Sequence, residues 1–202
     1  MNLRNSPLSE EQIRAAHVGE LKPLDGRIVL VDYDPRWADV FEREAARIRA
    51  VLAEGALRIE HVGSTSVPGL PAKPVVDIVL VVTDSADETA YLPALASTGY
   101  RLHLREPDWY EHRMLKGPDA DINLHTFSAG CPEIERMLMF RNWLRVNSAD
   151  RQLYARTKLA LAQREWTFVQ NYADAKHEVI DGIMTRARHA TSSQSSQRLL
   201  TD

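Results

Sequence analysis

Asp77 lies inside Val75–Val82 (VVDIVLVV), the most apolar run of the chain. An ionised carboxylate in such a strand is costly unless a cation or a hydrogen-bond donor compensates it. Taken alone, Asp77 reads equally well as a strand-end residue facing solvent. The loop ahead of it weighs against that reading. It opens with Gly63-Ser64-Thr65-Ser66, small residues that let backbone amides approach a phosphate. It also carries Lys73, a compact point charge suited to phosphate oxygens. The chemistry to expect is recognition of a phosphorylated anion beside a carboxylate.

Other side chains join this group with an equally ordinary alternative. In Asp121-Ile122-Asn123-Leu124-His125 the period of two puts Asp121, Asn123 and His125 on one strand face. His125 by itself reads as a hydrogen-bonded core histidine. Arg141 and Arg145 are one helical turn apart and suit bidentate phosphate contacts, or else form a solvated helix face. Cys131 stands at a helix start, where a thiolate is favoured, but no histidine partner is expected near it. G-x-S-x-G is absent, because Thr65 stands where the nucleophilic serine would and Val67 replaces the last glycine. A Walker loop is excluded because Gly69 is followed by Leu70 rather than lysine.

These residues need a scaffold, and the pattern supplies one. Arg27–Asp32 is expected to be a short strand, after which Asp34 caps a helix with Pro35 in its first position. Trp37, Phe41, Ile48 and Leu52 give that helix one buried stripe. Leu57–Val62 reads as a strand, and Val75–Val82 as a central strand buried on both faces. A helix over about Ser85–Ser97 is expected to end at Gly99. Strands follow at Tyr100–Leu104, His112–Lys116 and Asp121–Phe127. Pro132 to about Arg188 is helical, with Ser148 capping its second helix and a break near Glu165–Asn171. The fold class is therefore α/β (α+β), a mixed sheet flanked by helices with a C-terminal helical bundle. Residues 1–27 form an extension with a short helix opened by Ser9, 28–187 the domain, and the Ser/Gln-rich 188–202 a disordered tail.

The segment HVGSTSVPGLPAKPVVDI (His61–Ile78) resembles the hallmark of the GrpB family, a branch of the nucleotidyltransferase-like superfamily. The resemblance continues through DINLHTF (Asp121–Phe127), FRNWLR (Phe140–Arg145), the Tyr154/Lys158 pair and YADAKHEVI (Tyr172–Ile180). It implies a nucleotidyltransferase-like sheet in which Gly63, Ser64, Thr65 and Ser66 hold a triphosphate, with Arg141, Arg145, Lys158 and Lys176 assisting. In such proteins carboxylates hold a divalent metal, Mg²⁺ or Mn²⁺, for in-line attack on the α-phosphate. The implied catalytic residues are Asp77, Lys73 and His125, and the implied metal ligands Asp77, His125 and His61. Val79 departs from the pattern, since a second carboxylate is usual two residues after the first. A histidine-bearing set suits Mn²⁺ or Zn²⁺ better than Mg²⁺, or else holds no metal.

The chain of 202 residues has 44% hydrophobic and 26% charged residues and a net charge of −3. Its cations are dispersed, so a nucleic-acid surface is not expected. A single cysteine and the lack of any long apolar run point to a cytoplasmic protein without membrane spans. Three functions stay open: a nucleotidyltransferase acting on a small-molecule or protein acceptor, a non-catalytic module binding a nucleotide or phosphometabolite, and a structural partner-binding protein.

Overall fold

The computed structural model describes residues 7–24, 26–119 and 121–198. Five strands form one sheet: β1 (Arg58–Val62), β2 (Val76–Val82), β3 (Arg101–Glu106), β4 (His112–Lys116) and β5 (Ile122–Ser128). Their order is β1-β2-β5-β4-β3. β2 is parallel to β5 and every other neighbouring pair is antiparallel, so the sheet is mixed. The apolar run of β2 is explained by its place between β1 and β5, with helices over both faces.

On one face, α2 (Arg36–Leu52) and α3 (Leu92–Ser97) bury Trp37, Ile48, Leu52 and Leu95 against Ile78, Leu80, Leu115 and Leu124. On the other, α4 (Pro132–Val146) packs Ile134 and Leu138 onto Val62, Val79, Val81 and Phe127. The helical end continues through α5 (Ser148–Ala162), α6 (Val169–Asp174) and α7 (His177–Arg198). Leu144 of α4, Tyr154 of α5 and Ile183 of α7 seat Val67 and Leu70, which fixes the loop between β1 and β2 from outside. The N-terminal α1 (Glu10–Ala16) has the expected Ser9 cap as a reciprocal capping box with Gln12. Beyond it, Val18 N–H donates to the His103 carbonyl at 3.0 Å, and His17 bridges Leu104, so the segment shields the β3 edge. Among the described residues no helix is long and apolar enough to cross a membrane.

Several expected elements differ. Arg27–Asp32 is not a strand of the sheet: only Val31 pairs, with Ala72. Ile28 packs instead among Leu161, Ala162 and Tyr172, while Val29 is 64% exposed, the alternation of an extended segment laid over helices. The helix expected over Ser85–Ser97 is a 3₁₀ turn (Glu88–Ala90) followed by α3, because Pro93 lacks the N–H needed to continue a turn and starts a new helix instead. Asn147, not Ser148, caps α5, accepting the Asp150 N–H at 2.9 Å. Asp34 accepts the Arg36 N–H at 2.9 Å, and the helix starts after Pro35. α7 runs on to Arg198, into the stretch expected to be disordered, and residues 199–202 lie outside the described part.

Candidate functional site

The β1–β2 loop starts with Gly63 at φ +69°, ψ −170°, a conformation open essentially to glycine alone. A Cβ there would lie 2.3 Å from Asp77 Oδ2, so the turn is pressed directly onto the carboxylate. Ser64–Ser66 then form a single 3₁₀ turn, in which the Ser66 hydroxyl donates to the Gly63 carbonyl at 2.7 Å.

Strand register decides which side chains meet. Asp77 pairs with Asn123 and Val79 with His125 across the parallel β2–β5 ladder, which places all of them on one face. The Asn123 amide donates to Asp77 Oδ1 at 2.8 Å, and Lys116 Nζ donates to Asn123 Oδ1 at 2.7 Å. His125 Nε2 lies 3.6 Å from Asp77 Oδ1. Burial raises the Asp77 carboxyl, but hydrogen bonding and charge from the imidazolium form of His125, with the Asn123 amide and the Lys73 charge, outweigh it and hold Asp77 below the usual carboxylate range.

Lys73, Lys158 and Lys176 approach the same place from the loop, α5 and the turn before α7. Lys158 is buried, and its Nζ donates to Ser64 Oγ at 2.9 Å and to the Pro71 carbonyl. Lys176 and Lys73 lie 4.5 and 6.0 Å from the centre of the Tyr172 ring, and Lys158 4.9 Å from that of Tyr154. Burial pushes Lys158 down to about 7 and Lys176 down to about 8, and lowers Lys73 as well. Among the described residues none of these ammonium groups has a carboxylate within ion-pair distance. Among the described residues the buried Tyr172 hydroxyl also lacks a hydrogen-bond partner. Gly63, Ser64, Lys73, Asp77, His125, Lys158, Lys176 and Tyr172 line one cavity of about 880 Å³, which Ile13, His17 and Arg27 of the N-terminal segment also line.

Other expected site residues stand elsewhere. His61 pairs with Ile78 on the opposite face of the sheet, where it stacks on Phe41 and its Nε2 meets Thr65 Oγ1 at 3.0 Å. Burial lowers its pKa to about 4, so it is neutral. Arg141 reaches the Glu60 carboxylate and the His61 carbonyl at 2.7 and 2.8 Å, and Arg145 chelates the Ser66 carbonyl at 2.8 and 3.0 Å. Both arginines brace the loop from behind; Thr65 and Ser66 are likewise buried in its support. Cys131 is buried at the N-cap of α4 and its thiol is pushed up by burial.

The donor set does not fit the metal centre the resemblance implies. His61 faces away, Val79 is fully buried beneath α4, and Asp77 Oδ1 already accepts an amide. Only Asp77 and His125 converge, and the described residues contain no group of three His, Cys, Asp or Glu placed to hold an ion. Residues that sequence reasoning passed over are Lys116, which orients Asn123, and His112 with Glu106, which hold His125 from behind. The alternation of His112, Met114 and Lys116 in β4 was visible, but nothing local marks which strand β4 faces.

Residues 27–186 match the family model described as GrpB protein. A UPF0157 protein of Halalkalibacterium halodurans is 61% identical over 183 residues, 91% of this chain and 94% of that one. The crystal structure of conserved protein GrpB from Enterococcus faecalis superposes with a TM-score of 0.69 at 31% identity, covering 79% of this chain and 96% of its own. A dephospho-CoA kinase of Mycobacterium tuberculosis is 31% identical over 174 residues, 73% of this chain but 42% of that enzyme. With the hallmark loop, its lysines and the sheet register in place, the chain belongs to the GrpB family.

Proposed function

We propose that this chain is a cytoplasmic nucleotide-binding protein that takes a nucleoside triphosphate, or a similarly phosphorylated small molecule, with its phosphates on Lys73, Lys158 and Lys176 against the Gly63-Ser64 turn. The observation that carries this reading is the convergence of these lysines, without carboxylate partners among the described residues, on one cavity. A buried ammonium such as Lys158, with two half-buried ones beside it, is costly until an anion joins it. The Tyr172 hydroxyl, buried at the same wall without an acceptor among the described residues, adds a donor for that anion. The cavity of about 880 Å³ is of a size that accommodates a nucleotide. A relative named for dephospho-CoA kinase activity supports a phosphorylated ligand in the same direction.

The Asp77–His125 pair beside the lysines favours nucleotidyl transfer to a hydroxyl, amine or phosphate acceptor over binding alone. The charge-neutralising part is assigned to the lysines, because the donors present do not complete a metal centre. Calorimetric titration tests the reading, with pyrophosphate and the common nucleoside triphosphates as probes, each in EDTA and in Mg²⁺ or Mn²⁺. Pyrophosphate should bind in EDTA, and Lys158→Met or Lys176→Met should weaken it about tenfold or more. No binding of pyrophosphate or of any triphosphate under either condition would refute it.

A further inference from the structure

Behind His125 runs a hydrogen-bonded chain that binding of phosphates does not require. His112 Nδ1 lies 2.7 Å from Glu106 Oε2, and His112 Nε2 lies 3.0 Å from His125 Nδ1. All three residues are on the Asp77 face of the sheet, contributed by β3, β4 and β5. Glu106 and His112 are 8% and 2% exposed. The ring planes are fixed by packing: His112 stacks on Phe127 at 4.7 Å and on His125 at 5.2 Å, with Trp109 edge-on at 5.1 Å.

A carboxylate only accepts, so the His112 proton sits on Nδ1. In the neutral ring its Nε2 is bare and accepts, which puts the His125 proton on Nδ1. His125 Nε2 is left as a lone pair at the cavity wall, 3.6 Å from Asp77 Oδ1. His125 also borders a second recess of about 360 Å³, shared with Trp109, His112, Arg136 and His177, so its ring stands where two spaces meet.

We propose that Glu106 and His112 are positioning residues that hold His125 with its bare Nε2 toward the cavity, as acceptor for the hydroxyl or amine proton of a molecule entering from the second recess. This rests on the reading of the larger cavity as a nucleotide site. In the step it serves, the acceptor O–H or N–H bond breaks and the proton passes to His125 Nε2. The freed lone pair bonds to the α-phosphorus, and the bond from that phosphorus to the bridging oxygen of the β-phosphate breaks. Pyrophosphate departs with the electron pair, toward the lysines. Asp77 and, through His112, Glu106 stabilise the imidazolium that forms.

The assay is long-range ¹H–¹⁵N NMR of the imidazole rings of the full chain at pH 8, with assignment by His125→Gln. The expected spectrum shows the His125 proton on Nδ1. His112→Phe keeps the ring stack but removes the acceptor, and should move the His125 proton to Nε2, drawn by Asp77. If that variant does not fold, Glu106→Leu, which frees His112, is measured in its place and should loosen the same tautomer. A wild-type His125 that carries its proton on Nε2, or on both nitrogens, overturns the proposal, as does a tautomer unchanged in the variant. Pyrophosphate titration of the same wild-type sample reads the lysines separately. Loss of that binding with the Nδ1–H tautomer present refutes the nucleotide reading and leaves the positioning of His125 intact.

Discussion

Replacing Gly63 with alanine strikes the contact on which the loop and the carboxylate depend. The backbone at φ +69°, ψ −170° is sterically closed to alanine at a cost of roughly 1–3 kcal/mol. The added Cβ would stand 2.3 Å from Asp77 Oδ2, so Asp77 must swing away. That motion gives up the 2.8 Å bond from the Asn123 amide, a hydrogen bond to a charged group worth about 1.5–3 kcal/mol. Together the effects come to roughly 2.5–6 kcal/mol. At about 2–4 °C per kcal/mol for a chain of this size, Gly63→Ala should melt about 5–24 °C below wild type. Differential scanning calorimetry reads this, with urea unfolding as a check. The double variant Gly63→Ala/Asp77→Ala removes the clashing oxygen and should lose at least about 1 kcal/mol less than the sum of the single losses. A Gly63→Ala melting point within about 3 °C of wild type, or strict additivity in the double variant, would refute the argument that the turn is built against Asp77.

Val79→Asp puts an unpaired carboxylate among Val62, Phe127, Ile134 and Leu138, so urea unfolding should show a loss of about 3–5 kcal/mol rather than gained metal affinity; a fully stable variant that binds Mn²⁺ would contradict the placement of this side chain. Lys158 and Lys176 sit near 7 and 8 in the folded chain, against about 10.4 unfolded. Above the folded values the unfolded chain binds more protons, so the ligand-free melting point should rise with pH from about 7 toward 10, and Lys158→Met should flatten that rise. Across the same range the melting-point gain given by pyrophosphate should shrink, because the ammonium form that holds it is lost; a gain that is constant with pH would show that these lysines do not bind it. Asp77→Asn removes a negative charge beside the lysines, so pyrophosphate affinity measured by calorimetry should rise severalfold, and a fall would place Asp77 among the groups that hold the anion.

Much of the site was visible along the chain because its parts are contiguous or periodic. A glycine turn, a loop lysine and a lone Asp in an apolar strand occupy residues 63–77, and the alternation of β5 places Asn123 and His125 on a common face. The same periodicity misled at residues 27–32, where alternating burial is produced by helices of the C-terminal end instead of a neighbouring strand. The helix expected over Ser85–Ser97 broke because the backbone requirement of Pro93 outweighs local helix preference.

Local composition and spacing thus determined the strands β2, β4 and β5, the stripe of α2, and the association of Asp77 with the Gly63-Ser64 loop. Tertiary pairing alone decided the direction of each long or bridging side chain. Arg141 and Arg145 satisfy loop carbonyls because α4 lies behind the turn, and Lys158 enters the cavity because α5 crosses beside Pro71. His61 is turned away by the antiparallel register that matches Val62, not His61, to Asp77. The Glu106–His112–His125 chain exists because β4 lies between β3 and β5, a neighbour relation set by strand pairing across the whole sheet. Period-two alternation assigns a residue to one of two faces, but which strands and helices lie beside that face depends on contacts distant in sequence, and those contacts choose the partners of each charge.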